Sequence, residues 1–285
     1  MPTVGVLTDT TASIPPDLVK GLGIELVPYY IHRGLETLRD MLDVQPEPFA
    51  DYLATARVLP TTSNPSPGDY LAGLERLAER TDDIVALTMT SKGSGAYQSC
   101  QVAARLLRER LPRVRIEVVD TLQVAMSQGW AVVEAARAAL AGAGLKDVVA
   151  RAVEVARKGM MIQTADTLRY LYMGGRIGRA QHLVASVLDI KPLIGMEEGI
   201  ITALGVARSR AGAYAKMAQL MSQRVGEGAR IKVAFTHVAA LDRLARLREE
   251  VLRRFECVEV LTSPLSPALA VHSGPGTVGV SFFPV

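Results

Sequence analysis

Two clusters of hydroxyl residues, each punctuated by glycine or proline, have the chemistry to hold an anion. In Thr61-Thr62-Ser63-Asn64-Pro65-Ser66-Pro67, Ser66 is suited to cap a helix and Pro67 to begin it. Those roles leave Thr62 and Ser63 free to donate to an anion that the exposed N–H groups of the helix also attract. The second cluster, Thr90-Ser91-Lys92-Gly93-Ser94-Gly95-Ala96-Tyr97-Gln98, follows a strand-like run and opens another helix. Ser94 is a possible cap for that helix. Gly93 and Gly95 beside it let backbone approach a bound group closely, and a hydroxyl with free amides makes an oxyanion-type pocket.

Two glycine-rich stretches occur later. Gly174-Gly175-Arg176-Ile177-Gly178-Arg179 precedes a helical pattern with Ala180, Leu183, Val184, Val187 and Leu188 on one face. By itself it reads as a turn with solvated arginines. His272-Ser273-Gly274-Pro275-Gly276 places two glycines around a proline, the composition of a tight turn, and a lone histidine there is more often structural than catalytic. A hydrolase reading would make Ser94 the nucleophile, His272 the base and Asp9 the orienting acid. Lys92 stands where a nucleophile elbow needs glycine. The chain has no Walker loop, no His-Glu-x-x-His, no paired cysteines and no Gly-x-Gly-x-x-Gly after a strand, so no metal or cofactor is expected.

The elements that must position these residues are legible as alternating strands and helices. Val4 to Leu7, Ile24 to Val27, Ile84 to Met89 and Ile116 to Val119 read as strands with amphipathic segments between them, the pattern of a parallel sheet covered by helices on both faces. Tyr70, Leu71, Leu74 and Leu77, then Val102, Ala103, Leu106 and Leu107, recur at core-facing helical spacing. After Gly142 and Gly144, a helix with Leu145, Val148, Val149, Ala152, Val153 and Ala156 on one face leads into Met160 to Gln163. The boundary between an N-terminal unit, 1–155, and a C-terminal α/β unit, 156–285, is placed there. Strands at Ile200 to Ala203, Ile231 to Phe235, Val258 to Leu261 and Val278 to Phe282, with helices at Ala213 to Val225 and Leu241 to Phe255, build the second unit.

Composition narrows the function. The 285 residues are 49% hydrophobic and 21% charged, ordinary for a globular protein. Lys plus Arg exceed Asp plus Glu by only 32 to 29 and are spread along the chain, so no nucleic-acid footprint is expected. Apolar runs stop well short of a membrane span, and no signal peptide is expected ahead of the first strand. Cys100 and Cys257 offer no disulfide framework, which fits a reducing cytoplasm.

Taken in order, these stretches resemble the DegV family over essentially the whole chain. Thr8-Asp9-Thr10-Thr11-Ala12-Ser13-Ile14-Pro15 is similar to the family's opening T-D-S-T-A-D-L-P, and Thr62 to Pro67 to its T-S-Q-P-S-P. Ser91 to Ser99 resembles S-K-L-S-G-T-Y-Q-S, Thr167-Leu168 through Ile177 resembles T-L-x-Y-L-x-x-G-G-R-I, and His272 to Gly276 resembles H-x-G-P-G. The resemblance implies a two-domain α/β fold with a long-chain fatty acid between the domains and its carboxylate held by Thr62 and Ser94. Ser63, Gly95, Arg176 and His272 are the further expected ligand-binding residues. It implies a carrier that presents the acid to a separate ATP-dependent fatty acid kinase, which makes an acyl phosphate for phospholipid synthesis. Asn64, Gly93 and Ala96 depart from the family's Gln, Leu and Thr. Loss of the Leu and Thr is expected to widen the pocket entrance or change chain preference.

Overall fold

The structure, a computed structural model, describes residues 2–183 and 190–285. In chain order its first elements are β1 (Gly5–Asp9), α1 (Pro16–Leu22), β2 (Glu25–Val27), β3 (Tyr30–Arg33), β4 (Glu36–Arg39), α2 (Pro46–Thr55) and β5 (Thr61–Ser63). Next come α3 (Pro67–Ala78), β6 (Asp83–Thr88), α4 (Ala96–Arg110), β7 (Arg115–Asp120), α5 (Ala125–Leu140), α6 (Leu145–Lys158), β8 (Met160–Thr164) and α7 (Arg169–Met173). The remainder is β9 (Lys191–Glu197), β10 (Ile200–Ala207), α8 (Arg210–Val225), β11 (Arg230–His237), α9 (Leu241–Leu252), β12 (Glu256–Pro264), α10 (Pro267–Ser273) and β13 (Val278–Pro284).

The strands form a parallel sheet ordered β2-β1-β6-β7, a mixed six-stranded sheet ordered β10-β9-β8-β13-β11-β12, and a small antiparallel sheet β4-β3-β5. The α/β fold expected from the alternating pattern is present. Side chains on the parallel strands point alternately to opposite faces, as strand geometry requires. Leu7, Ile84, Ala86 and Ile116 meet Leu74, Leu77, Ala103 and Leu107 of α3 and α4. On the opposite face Val6, Val85, Leu87 and Val119 meet α5 and α6.

The helix α5 holds the two large sheets together. Thirteen of its 16 residues are buried, so it is covered all round instead of along one stripe. Its Trp130 packs edge-on against Phe283 of β13 at 5.6 Å, and the indole N–H donates to the Ser281 carbonyl at 3.2 Å. Many of the other side chains are alanine, which lets two sheets approach one helix. At Gly129 a Cβ would lie 2.7 Å from the Ala12 carbonyl, so the close contact with the turn after β1 needs glycine. Glu134, near the end of the same helix, accepts from Arg137 at 2.9 Å and Lys232 at 2.8 Å, and also from Arg151, while Arg137 reaches Glu259 at 2.6 Å. That network ties α5 and α6 to β11 and β12. Burial alone would raise the Glu134 carboxyl, but donors from Lys232, Arg151 and Arg137 outweigh it and hold it below its ordinary range.

Some sequence expectations shift. The face of α6 is Val148, Ala152, Val155 and Ala156, with Val153 turned outward. Helix α9 ends at Leu252, before the expected Phe255. Residues Gly178–Leu183 form a 3₁₀ turn, and Val184, Val187 and Leu188 of the expected helix lie outside the described residues. Strands β3, β4, β5 and β9 were not expected. Among the described residues no helix is long and apolar enough to cross a membrane.

Trp130→Ala should destabilise the protein by roughly 3–5 kcal/mol, the usual cost of removing a large buried aromatic. Because Trp130 is the single tryptophan, denaturation of the variant is followed by far-UV circular dichroism. An unchanged denaturation midpoint would show that α5 does not hold the layers together.

Candidate functional site

A cavity of about 440 Å³ opens where the carboxyl ends of β1, β2, β6 and β7 face β8, β9 and β10. Ligand sites in parallel α/β sheets favour this edge, because the loops that leave it converge there. The cavity is lined by all six expected residues, Thr62, Ser63, Ser94, Gly95, Arg176 and His272. Met89, Met161, Leu171, Ile194, Met196, Leu265 and Leu269 supply much of its apolar wall. None of these wall positions was expected from sequence.

The two central hydroxyls are each paired. Thr62 Oγ1 lies 2.8 Å from Nε2 of His272 on α10, and Ser94 Oγ lies 2.7 Å from the hydroxyl of Tyr29. Ser66 caps α3 and Pro67 begins it, as expected, and Asp69 returns the bond to Ser66, which fixes the segment between β5 and α3. Ser94 sits just before α4, whose N-cap is Gly95, and accepts from the Ala96 N–H at 3.2 Å. Ser63 turns its hydroxyl to His32 at 2.9 Å. Arg176 is exposed and donates to the Gly174 carbonyl at 2.7 Å. Of the family departures, Asn64 and Gly93 line the cavity, whereas Ala96 is buried in the core at the start of α4 and is not among its lining residues. No hydrogen bond joins Ser94 to His272 among the described residues. Asp9 is turned instead to Thr11, Gln128 and the Met89 N–H.

Glycines interlock the motifs. A Cβ at Gly174 would run into Nδ1 of His272, and one at Gly274 would run into the ring of Tyr170. Gly274 also has φ +79°, where other residues are strained. The β9–β10 hairpin turns through Glu198 and Gly199, both at positive φ, and Thr90 Oγ1 donates to the Gly199 carbonyl at 2.9 Å. Gly199 between two apolar runs is the one turn signal the sequence offers here, since two-residue hairpin turns favour Asn-Gly or Asp-Gly over Glu-Gly. Asp40, fully buried, accepts from Thr10 Oγ1 at 2.6 Å and from the Ala268 N–H at 3.1 Å in the first turn of α10. It therefore positions the helix that carries His272. Nothing in the sequence around Asp40 marked it.

Burial sets the charges of the site. It lowers His272 from 6.5 to about 4, helped by the positive charge of Arg176, so the ring is neutral near pH 7. Its Nδ1 is buried without a hydrogen-bond partner among the described residues. Tyr29 is raised well above 10, first by burial and then by the negative charge of Asp9, and stays protonated. Asp40 is raised from 3.8 to about 6 by burial, against the hydrogen bonds it accepts.

The DegV family profile matches residues 3–285. The chain belongs to the DegV family. A DegV domain-containing protein of Streptomyces coelicolor is 34% identical over 279 residues, 97% of each chain, and one of Halalkalibacterium halodurans is 30% identical over 99% of each. Among solved DegV structures, the Thermus thermophilus protein described by its fatty acid binding superposes with a TM-score of 0.93 at 30% identity over the full length of both chains. A Eubacterium eligens DegV protein loaded with heptadecanoic acid shares the fold, with a TM-score of 0.86 at 18% identity over 99% of this chain and 100% of its own.

His272 on the wall of this DegV cavity and Asp40, buried against the first turn of the same helix, titrate in the same window with opposite effects on stability. Asp40 holds its proton in the folded chain up to about pH 6, so its stabilising contribution is present below 3.8 and is lost as pH rises through 6. His272 stays neutral in the folded chain down to about 4, so stability is lost as pH falls through that range. Asp40→Asn should leave the His272 slope unopposed. Acidification from pH 6.5 to 4.5 should then cost the variant more than wild type, by on the order of 2 kcal/mol. Urea denaturation at the two pH values checks this, and equal losses in both proteins would contradict it.

Proposed function

We propose that the cavity holds one long-chain fatty acid, with its carboxylate on Thr62 and Ser94 and its chain along the methionine-rich wall. In this reading the ligand lies between an N-terminal unit, 1–155, and a C-terminal unit, 156–285. The observation that carries it is the presence of two paired hydroxyls, Thr62 with His272 and Ser94 with Tyr29, on a largely apolar cavity of about 440 Å³. The likeness to the Thermus protein supports the same ligand class. A carboxylate withdrawn from water is costly unless its oxygens receive hydrogen bonds, and hydroxyl donors meet that need. Each methylene removed from water adds roughly 0.8 kcal/mol, so the chain supplies affinity while the hydroxyls fix direction.

The protein acts in this reading as a cytoplasmic carrier with no cofactor. It presents the acid to a separate ATP-dependent kinase that forms the acyl phosphate, a precursor for phospholipid synthesis. Hydrolysis by Ser94 draws no support from a serine paired with tyrosine instead of with His272.

Protein made in bacteria should arrive with one fatty acid bound, seen by native mass spectrometry, and denaturation should release that acid unmodified. Ser94→Ala and Thr62→Val should each weaken palmitate binding by about 5- to 150-fold, the loss of one donor to a buried charge. Lipid-free protein that also fails to take up added palmitate would sink the reading, and a covalent acyl mass on Ser94 would replace it with a hydrolase.

Arg176, exposed at the cavity mouth, is assigned to handover more than to holding. Arg176→Gln should slow acyl phosphate formation with the cognate kinase by a larger factor than it weakens palmitate binding. Equal effects on the two measurements, or none on the rate, would remove this role.

A further inference from the structure

We infer that Tyr29 is a positioning residue for the ligand: its hydroxyl donates to Ser94 Oγ and so turns the Ser94 proton toward the bound carboxylate. The inference rests on the carrier reading above and extends it to a residue that does not belong to any of the glycine- or proline-rich motifs.

A serine hydroxyl has one proton and two acceptor sites. One site of Ser94 is taken by the Ala96 N–H at 3.2 Å. Tyr29, 2.7 Å away, is related to Ser94 in one of two ways. If Ser94 donates to Tyr29, its proton is spent inside the protein and nothing is left to offer an anion. If Tyr29 donates, both acceptor sites of Ser94 are filled and its proton has the cavity as its remaining direction. A carboxylate in the cavity selects the second arrangement and makes a continuous donor chain from Tyr29 through Ser94 to the anion. Hydrogen bonds in such a chain polarise one another and strengthen together.

The backbone is built to hold Tyr29 in that place. Its N–H donates to Thr10 Oγ1 at 3.1 Å, and its carbonyl accepts from the Asp40 N–H at 2.8 Å. The ring is 5% exposed and lies within the core that also holds Leu7 and Leu74. The phenol meets Ser94 from a fixed direction, so little ordering remains to be done when ligand arrives. Burial and the nearby Asp9 charge keep the phenol in its donating, protonated form.

The test is a double-mutant cycle on the full chain, stripped of lipid and titrated with labelled palmitate and with palmitate methyl ester. Tyr29→Phe keeps the ring and removes only the hydroxyl. It should weaken palmitate binding about 5- to 20-fold, as expected for one hydrogen bond feeding a charge, and by less than about twofold when Ser94→Ala is also present. The preference for the acid over its ester should fall by a similar factor, a readout that altered packing of the chain would not move. Equal weakening in both backgrounds, an unchanged acid-to-ester preference, or wild-type affinity in Tyr29→Phe would overturn the role while leaving the carrier reading intact. Wild type that binds no palmitate would overturn both. Should Tyr29→Phe fold poorly, 3-fluorotyrosine incorporation in wild type provides the second measurement. The fluorine signal of Tyr29 should shift on palmitate binding in wild type and not in Ser94→Ala, and the absence of any shift in wild type would overturn the role.

Discussion

Two carboxylates buried without a cation govern how the loops of this protein meet. Asp9 and Asp40 are both 0% exposed, and each is satisfied by hydrogen bonds alone among the described residues. A buried charge of that kind demands donors from wherever the chain can bring them. Asp9 draws the Thr11 N–H and hydroxyl, the Met89 N–H and the Gln128 amide, which pins the ends of β1 and β6 to α5. Asp40 draws Thr10 and the first turn of α10. Loops from remote parts of the sequence therefore converge on one edge of the parallel sheet, and the cavity is the space they enclose.

The half-buried donors of the proposed site are neutral hydroxyls, and the two cations that line the cavity, Lys92 and Arg176, are exposed. Placing Arg176 at the exposed mouth keeps a positive charge close enough to favour a neutral His272 and oppose the pull of Asp9 on Tyr29. Each hydroxyl then depends on a partner behind it, and those partners are fixed by packing: His272 against Gly174, and Tyr29 within the core.

Holding the cavity also requires the two large sheets to keep their spacing. That falls to α5, whose alanines and Gly129 allow close approach and whose Trp130 reaches across to β13. The Glu134 network adds a specific register between α5, α6, the inner strand β11 and the edge strand β12. Apolar contact is non-directional, so the ionic contacts at the rim contribute alignment more than bulk stability.

By itself the sequence determined the α/β class, most strands of both large sheets, the capped start of α3 and the hydroxyl motifs around Thr62 and Ser94 that line the cavity. Each is written in local information: a period of two or near four, a proline after a serine, a glycine beside a hydroxyl. Arg176 and His272, by contrast, were expected at the cavity only from the family resemblance. Tertiary structure decided the rest. The short strands β3, β4 and β5 carry three or four residues each, too few for a periodic signal, and exist because they pair with one another. Met161 and Met196 form cavity wall only because β8 and β9 turn that face toward the loops. Tyr29 and Asp40 had no local signature, since their roles are to meet Ser94 and Ala268, 65 and 228 residues away along the chain. Contacts of that separation have no spacing to read, because their geometry is set by the fold of everything between.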